Sequence, residues 1–210
     1  MSAPHPAAGR PEKRRAITGA ARRVFGNEGY VRAGVDAIAA EAGVSKRTIY
    51  NHFRDKEDLF LSVALEGAHE VTETIARLLD RHLRKIVDVA DDLTAFALER
   101  VAAVAEFPEH FALVRTIEAE AARIPPAVLE EWIKAGPQTA HLRLAPYLAR
   151  MADDGLLTPE DPERAADHFN LLTVVNVNQR TFYGAIPLPP EQVTELVTDG
   201  VRTFLRLYGR

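Results

Sequence analysis

"AEAGVSKRTIYNHF" spans Ala40 to Phe53, and its reading decides the fold. Gly43 stops a short apolar pattern, and glycine takes the left-handed backbone that a tight helix-to-helix turn requires. Val44 tucks beneath that turn. Ser45 caps a second short helix that runs to about Asn51 and that Phe53 closes. Lys46 and Arg47 follow the cap directly, at the positive end of the helix dipole, where each cation is disfavoured by a few tenths of a kcal/mol. Something negative must compensate them. Two short amphipathic helices joined through a glycine make a helix-turn-helix, and phosphates and base edges in a DNA major groove supply the missing negative charge. Tyr50 and His52 then reach the flanking backbone with a hydroxyl and a ring N–H.

Working upstream, Val35, Ile38, Ala39 and Ala42 recur at helical spacing over barely two turns, and Ile17, Ala20, Ala21, Val24 and Phe25 do so before the terminator Gly29. Residues 1 to about 11 hold three of the thirteen prolines and read as a disordered arm ending in the cations Arg10, Lys13, Arg14 and Arg15. Downstream, Asp55 caps a long helix with Glu57 and Asp58 in its first turn. Its apolar stripe of Leu59, Val63, Leu65, Ala68, Val71, Ile75, Leu78 and Leu79 carries it to about Leu83.

Further helices are predicted at about Ala90 to Glu106, Pro108 to Arg123, Pro126 to Ala152, Pro162 to Tyr183 and Pro190 to Tyr208. Pro137 and Pro146 should break or kink the third of these. No convincing strand pattern and no internal repeat occurs. The expected fold is all-α. An N-terminal three-helix helix-turn-helix DNA-binding domain (12–57) follows the arm, and a C-terminal helical bundle (58–210) serves ligand binding and dimerisation.

Charge divides the chain in the same place. The 210 residues carry a net charge of −4, yet through Arg54 there are ten Lys and Arg against four Asp and Glu, and the remainder is acidic. A basic end suits a polyanion, while an acidic remainder is repelled by one and more readily binds itself or something small. The 47% apolar composition is ample for a buried core. No run approaches the roughly 18 apolar residues of a membrane span, and no apolar block of the signal-peptide kind occurs near Met1, so a soluble protein of the cytoplasm without membrane partners is expected. The absence of cysteine excludes disulfides, thiolate chemistry and thiolate metal sites.

With these residues in view, the stretch resembles the DNA-binding domain of the TetR family of transcriptional regulators. "AARRVFGNEGY", "VDAIAAEAGVSKRTIYNHF" and "DKEDLF" carry the resemblance over about Lys13 to Phe60, with the Gly-Val-Ser, Tyr-x-His-Phe and Lys-Glu-x-Leu patterns nearly complete. The rest looks like the C-terminal domains of AefR-like regulators in length, helical character and acidic balance. The resemblance implies that Lys46, Arg47 and Thr48 face base edges or nearby phosphates. It implies that Tyr50, His52 and Lys56 clamp phosphates, that Asn51 lies further along the helix, and that arm cations around Arg14 add backbone or minor-groove contacts. Phe53, Ile38 and Val24 read as packing. Two positions depart from the family pattern: Ala33-Gly34 stands where a hydroxyl is common, and Arg47 stands where a glycine is frequent, which favours a side-chain contact there.

A short recognition helix reads only a few base pairs, so two copies on an inverted-repeat operator are expected, and with them a homodimer. Its interface is expected on the last two helices through Leu171, Val175, Phe182, Val197, Val201 and Phe204, unless these residues are buried within one subunit. The family resemblance implies a small-molecule effector in the C-terminal domain. Phe96, Phe111, Trp132 and His141 are candidates for an apolar cavity, with Arg100, Arg115, Glu118 and Asn176 as its polar groups. Asn176, Asn178 and Gln179 interrupt an apolar run and need ligand or partner if buried.

The rival from another class is a carboxylate-metal helical-bundle enzyme built on Glu66 and His69. Such a site needs a second Glu-x-x-His pair, and the sequence contains none. No cofactor, metal or catalytic residue is therefore expected. A transcriptional activator, or a DNA-binding factor without ligand, is the nearer alternative to a repressor.

Overall fold

The computed structural model describes Gly9 to Arg210, and within it the helical elements follow the punctuation of the sequence. Helix α1 covers Gly9–Glu28, α2 Val35–Glu41, α3 Lys46–Tyr50 and α4 Lys56–Leu83. Then come α5 (Val89–Glu106), α6 (Pro108–Glu120), a 3-10 turn (Ala121–Arg123), α7 (Pro126–Ile133), α8 (Thr139–Leu142), α9 (Ala145–Asp153), α10 (Pro162–Asn170), α11 (Asn176–Arg180) and α12 (Pro190–Tyr208). Extended structure among the described residues is confined to one antiparallel bridge between Leu157 and Gly209. The fold is all-α.

Three details differ from expectation. Helix α1 begins at Gly9, so Gly9, Arg10 and Pro11 are helical, while the remainder of the expected arm lies outside the described residues. The single helix expected over Pro126 to Ala152 is interrupted twice. Pro137 lacks an N–H to donate, and Lys134–Gln138 widens into a π turn around it; Pro146 falls in the first turn of α9, where a missing N–H costs nothing. A second π turn, Leu171–Val175, divides α10 from α11 without any proline.

The chain forms two compact units. One comprises the chain through Ala68 with Glu109–Trp132; the other comprises His69–Pro108 with Ile133–Arg210. The unit that holds the helix-turn-helix is therefore larger than residues 12–57, because it takes in the start of α4 and all but the first residue of α6. Its core gathers Ile17, Ala21, Phe25, Ile38, Ile49, Phe53, Leu59 and Phe60, all buried. Phe25 meets Phe60 edge-on with centroids 4.9 Å apart, and Tyr30 lies 4.8 Å from Phe60.

In the second unit α12 packs against α5 and the second π turn, and α10 against α9. Phe96 stacks on Phe169, which meets Phe204 edge-on at 5.3 Å. Val197, Val201 and Phe204 sit at 0–1% exposure in this core. That corrects their expected place at a dimer interface: their apolar surface is already covered by the chain's own helices.

Candidate nucleic-acid interface

The turn before α3 is built as its residues require. Gly43 has φ +64, Val44 N–H donates to the Ala39 carbonyl at 3.0 Å and Gly43 N–H to the Ala40 carbonyl at 3.2 Å, the two bonds of a Schellman close to α2. Ser45 is extended (φ −78, ψ 152), and its Oγ accepts the Thr48 N–H at 3.1 Å. The Thr48 hydroxyl lies 2.8 Å from the same oxygen, so Thr48 helps to hold the cap. Ile49 and Phe53 are buried, which pins one side of α3 to the core. Gly34 caps α2 with extended backbone and no side-chain bond, as its lack of a hydroxyl dictates.

With the buried side fixed, Arg47, Tyr50 and Asn51 are exposed, and the Arg47 side chain makes no hydrogen bond or ion pair among the described residues. The other candidates are engaged within the chain. Lys46 Nζ pairs with Asp36 at 3.0 Å, and this bond raises its pKa. Arg14 lies 4.4 Å over the Phe53 ring and 4.0 Å from Glu66. His52 is half-buried, and burial together with Arg10, Arg14 and Lys13 lowers its pKa. Lys56 Nζ donates to the Val31 carbonyl at 3.2 Å and lies 4.9 Å from the centre of the Tyr30 ring. Burial lowers its pKa, and Glu120 opposes that shift.

Sequence reasoning missed Glu120. Its Oε2 accepts the Val31 N–H at 3.0 Å, and its carboxylate fills the space where a Cβ on Gly29 (φ +88) would stand. The α1–α2 loop is thus held at both polar groups of Val31, by Glu120 and by Lys56. Glu66 faces Arg14 and Arg22 at 4.0 Å each, so it is committed to cations rather than to a metal pair with His69.

The residues expected to line one ligand cavity do not fall in one unit. Phe111, Arg115, Glu118 and Trp132 belong to the unit of the helix-turn-helix; Phe96, Arg100, His141 and Asn176 belong to the other. Glu118 is exposed, while Trp132 is buried with its indole N–H unpartnered among the described residues. An open cleft of about 320 Å³ on α4 and α5 is lined by Thr74, Arg77, Arg81, Glu99 and Glu106 among others, none of them in the expected set. Of the expected dimer residues, Leu171 and Phe182 are more than half exposed and Val175 is half-buried. No helix among the described residues is long and apolar enough to cross a membrane.

Residues 17–63 match the family described as "Bacterial regulatory proteins, tetR family", and residues 91–210 match the "AefR-like transcriptional repressor, C-terminal domain". The transcriptional repressor AcnR of Corynebacterium diphtheriae is 36% identical over 83 residues, 40% of either chain. The match thus spans about two fifths of that relative's length. A solved TetR-family regulator structure from Mesorhizobium loti superposes with a TM-score of 0.84 at 29% identity, covering 96% of this chain and 98% of that one. The flavonoid-responsive regulator FrrA does so with a TM-score of 0.73 at 26% identity, covering 95% and 98%. With one family matched over the helix-turn-helix and the other over more than half of its length, the chain belongs to the TetR family of bacterial regulatory proteins, with an AefR-like C-terminal domain.

Proposed function

We propose that this protein is a homodimeric transcriptional repressor of the cytoplasm that reads an inverted-repeat operator and leaves it when a small molecule binds. The observation that carries the reading is the exposed, unengaged Arg47 beside Tyr50 and Asn51 on a helix whose cap and buried side are both fixed. Arg47 takes a base edge, with guanine the natural bidentate partner; Tyr50 and Asn51 reach phosphates or neighbouring bases. Lys46, Thr48, His52, Lys56 and Arg14 contribute from positions that the chain already holds, Lys46 by exchanging Asp36 for a phosphate. The name of the AcnR relative supports repression, and that of FrrA supports release by a ligand.

A second copy docks on the exposed Leu171 and Phe182 and the half-buried Val175 beside them. In such a dimer the two recognition helices read half-sites about 34–36 Å apart or a multiple of it. The effector must bind the DNA-incompetent form more tightly: a 100-fold loss of operator affinity needs about 2.7 kcal/mol of coupling. Helix α4, whose residues belong to both units, is the element through which that coupling runs. Selecting bound duplexes from a random pool tests the reading. An enriched palindrome is the expected result, and failure to retain any duplex in dilute salt refutes it.

A further inference from the structure

The core of the second unit holds a charge that it does not neutralise. Arg100, on α5, is 6% exposed, and its Nη1 donates to Oδ1 of Asn170, which is fully buried at the end of α10. Asn170 completes its own bonding by donating from Nδ2 to the Ala166 carbonyl at 2.8 Å. Among the described residues the Arg100 side chain makes no ion pair and no other hydrogen bond. Burial draws its pKa down to about 10, so the guanidinium stays protonated at neutral pH and the core carries a whole positive charge. His141 adds no second charge, since burial and the nearness of Arg100 lower it to about 4 against the opposing pull of Asp167.

A buried cation without an anion is costly unless a partner and further hydrogen bonds compensate it. One neutral amide supplies only part of that. The surroundings are apolar and aromatic. Phe96 lies one turn before Arg100 and stacks on Phe169, with centroids 6.0 Å apart, beside Asn170 in sequence. The π turn Leu171–Val175 begins at the next residue, and π turns concentrate at functional sites.

We propose that Arg100, with Asn170 and His141, receives the carboxylate of the effector, so that the regulator answers to organic acids and not to neutral molecules of the same shape. Guanidinium and carboxylate match in planar, bidentate geometry, and the dry surroundings strengthen the pair. The inference rests on the reading of the chain as an effector-released repressor and names the chemical class of that effector.

Thermal denaturation of the 210-residue protein at fixed ionic strength tests it, with straight-chain acids from acetate to dodecanoate and with benzoate, each against its primary amide, and with chloride and phenol as controls. The expected result is a dose-dependent rise in Tm with at least one acid, whose amide binds at least tenfold more weakly, and loss of that rise in Arg100→Gln. Acetate and chloride alone giving the same rise would reduce the site to an inorganic-anion site and overturn the inference. So would equal binding of acid and amide, a response to neutral phenols alone, or silence from the whole panel. Arg100→Met without ligand is expected to melt at or above the wild-type temperature, because it removes an uncompensated charge. A fall of several degrees, or failure to fold, makes Arg100 structural. Operator binding by the same preparation separates the two readings: a protein that binds DNA but ignores acids loses only this inference.

Discussion

Replacing Gly200 by alanine inserts one methyl group where α12 crosses the second π turn. A Cβ built there meets the Leu172 carbonyl oxygen and lies 2.9 Å from the Leu172 carbonyl carbon and 3.0 Å from Thr173 Cγ2. Two of these three atoms are backbone, so no side-chain rotation relieves the overlap and α12 must withdraw from the turn. Overpacking of this kind costs about 1–3 kcal/mol, while the better helix propensity of alanine returns up to about 1 kcal/mol. Because backbone has to move, the cost falls at the upper end of that range, about 2–3 kcal/mol; the net loss is then about 1–2 kcal/mol, and for a chain of this length each kcal/mol moves Tm by about 2–4 °C. Far-UV circular dichroism during heating should therefore show a Tm lower by roughly 2–8 °C. Gly19 is the internal control. It lies within α1, and a Cβ there approaches only Arg23 Nη1, at 3.9 Å. Gly19→Ala should raise stability by about 0.5–1 kcal/mol. A Gly200→Ala protein that melts at or above the wild-type temperature would refute the packing argument.

Arg47→Ala should cost about 1–3 kcal/mol in operator binding and relax the preference at one base position; titrations on the selected palindrome and its single-base variants check this, and equal loss on all sequences would reassign Arg47 to the backbone. Glu120→Ala should cost about 1 kcal/mol of stability and speed amide exchange at Val31, which loses its acceptor; unchanged exchange there would remove Glu120 from the clamp. His141, with a folded pKa of about 4 below the ordinary value of 6.5, binds its proton less readily folded than unfolded. Its stabilising contribution is complete above about pH 6.5 and is lost as pH falls towards 4. Urea unfolding at pH 7.5 and 5.0 should show a smaller difference in His141→Gln than in the wild type, and identical differences would contradict the burial of this imidazole.

What could be read from the residues alone was local. Gly43, Ser45 and the apolar positions around them interact within a few residues, so turn, cap and buried side follow from spacing. The same holds for Pro137 and Pro146, expected to interrupt a helical run and found where that run is interrupted. Partners distant in sequence leave no such trace. Glu120 and Val31 are separated by 89 residues, and Arg100 and Asn170 by 70, so neither pair has a periodicity to betray it. The apolar character of Val197, Val201 and Phe204 was plain, but hydrophobicity states only that a face is covered and not by which chain. The second π turn contains no proline or glycine. What accompanies it is Gly200, a residue on another helix, whose missing side chain gives the displaced carbonyl room.

The unit that carries the helix-turn-helix is discontinuous, and this bears on how it is born. The forty residues His69–Pro108 separate its two segments. At about 5–20 residues per second, a ribosome needs several seconds to cross that gap. Through that interval Gly26 awaits Ala112, whose methyl group comes to rest 3.3 Å from the position a Cβ there would take, and the Val31 amide awaits its carboxylate. A nascent chain therefore acquires a finished reading head only after α5 has been translated, and grafting residues 12–57 onto a foreign partner would transplant an incomplete object.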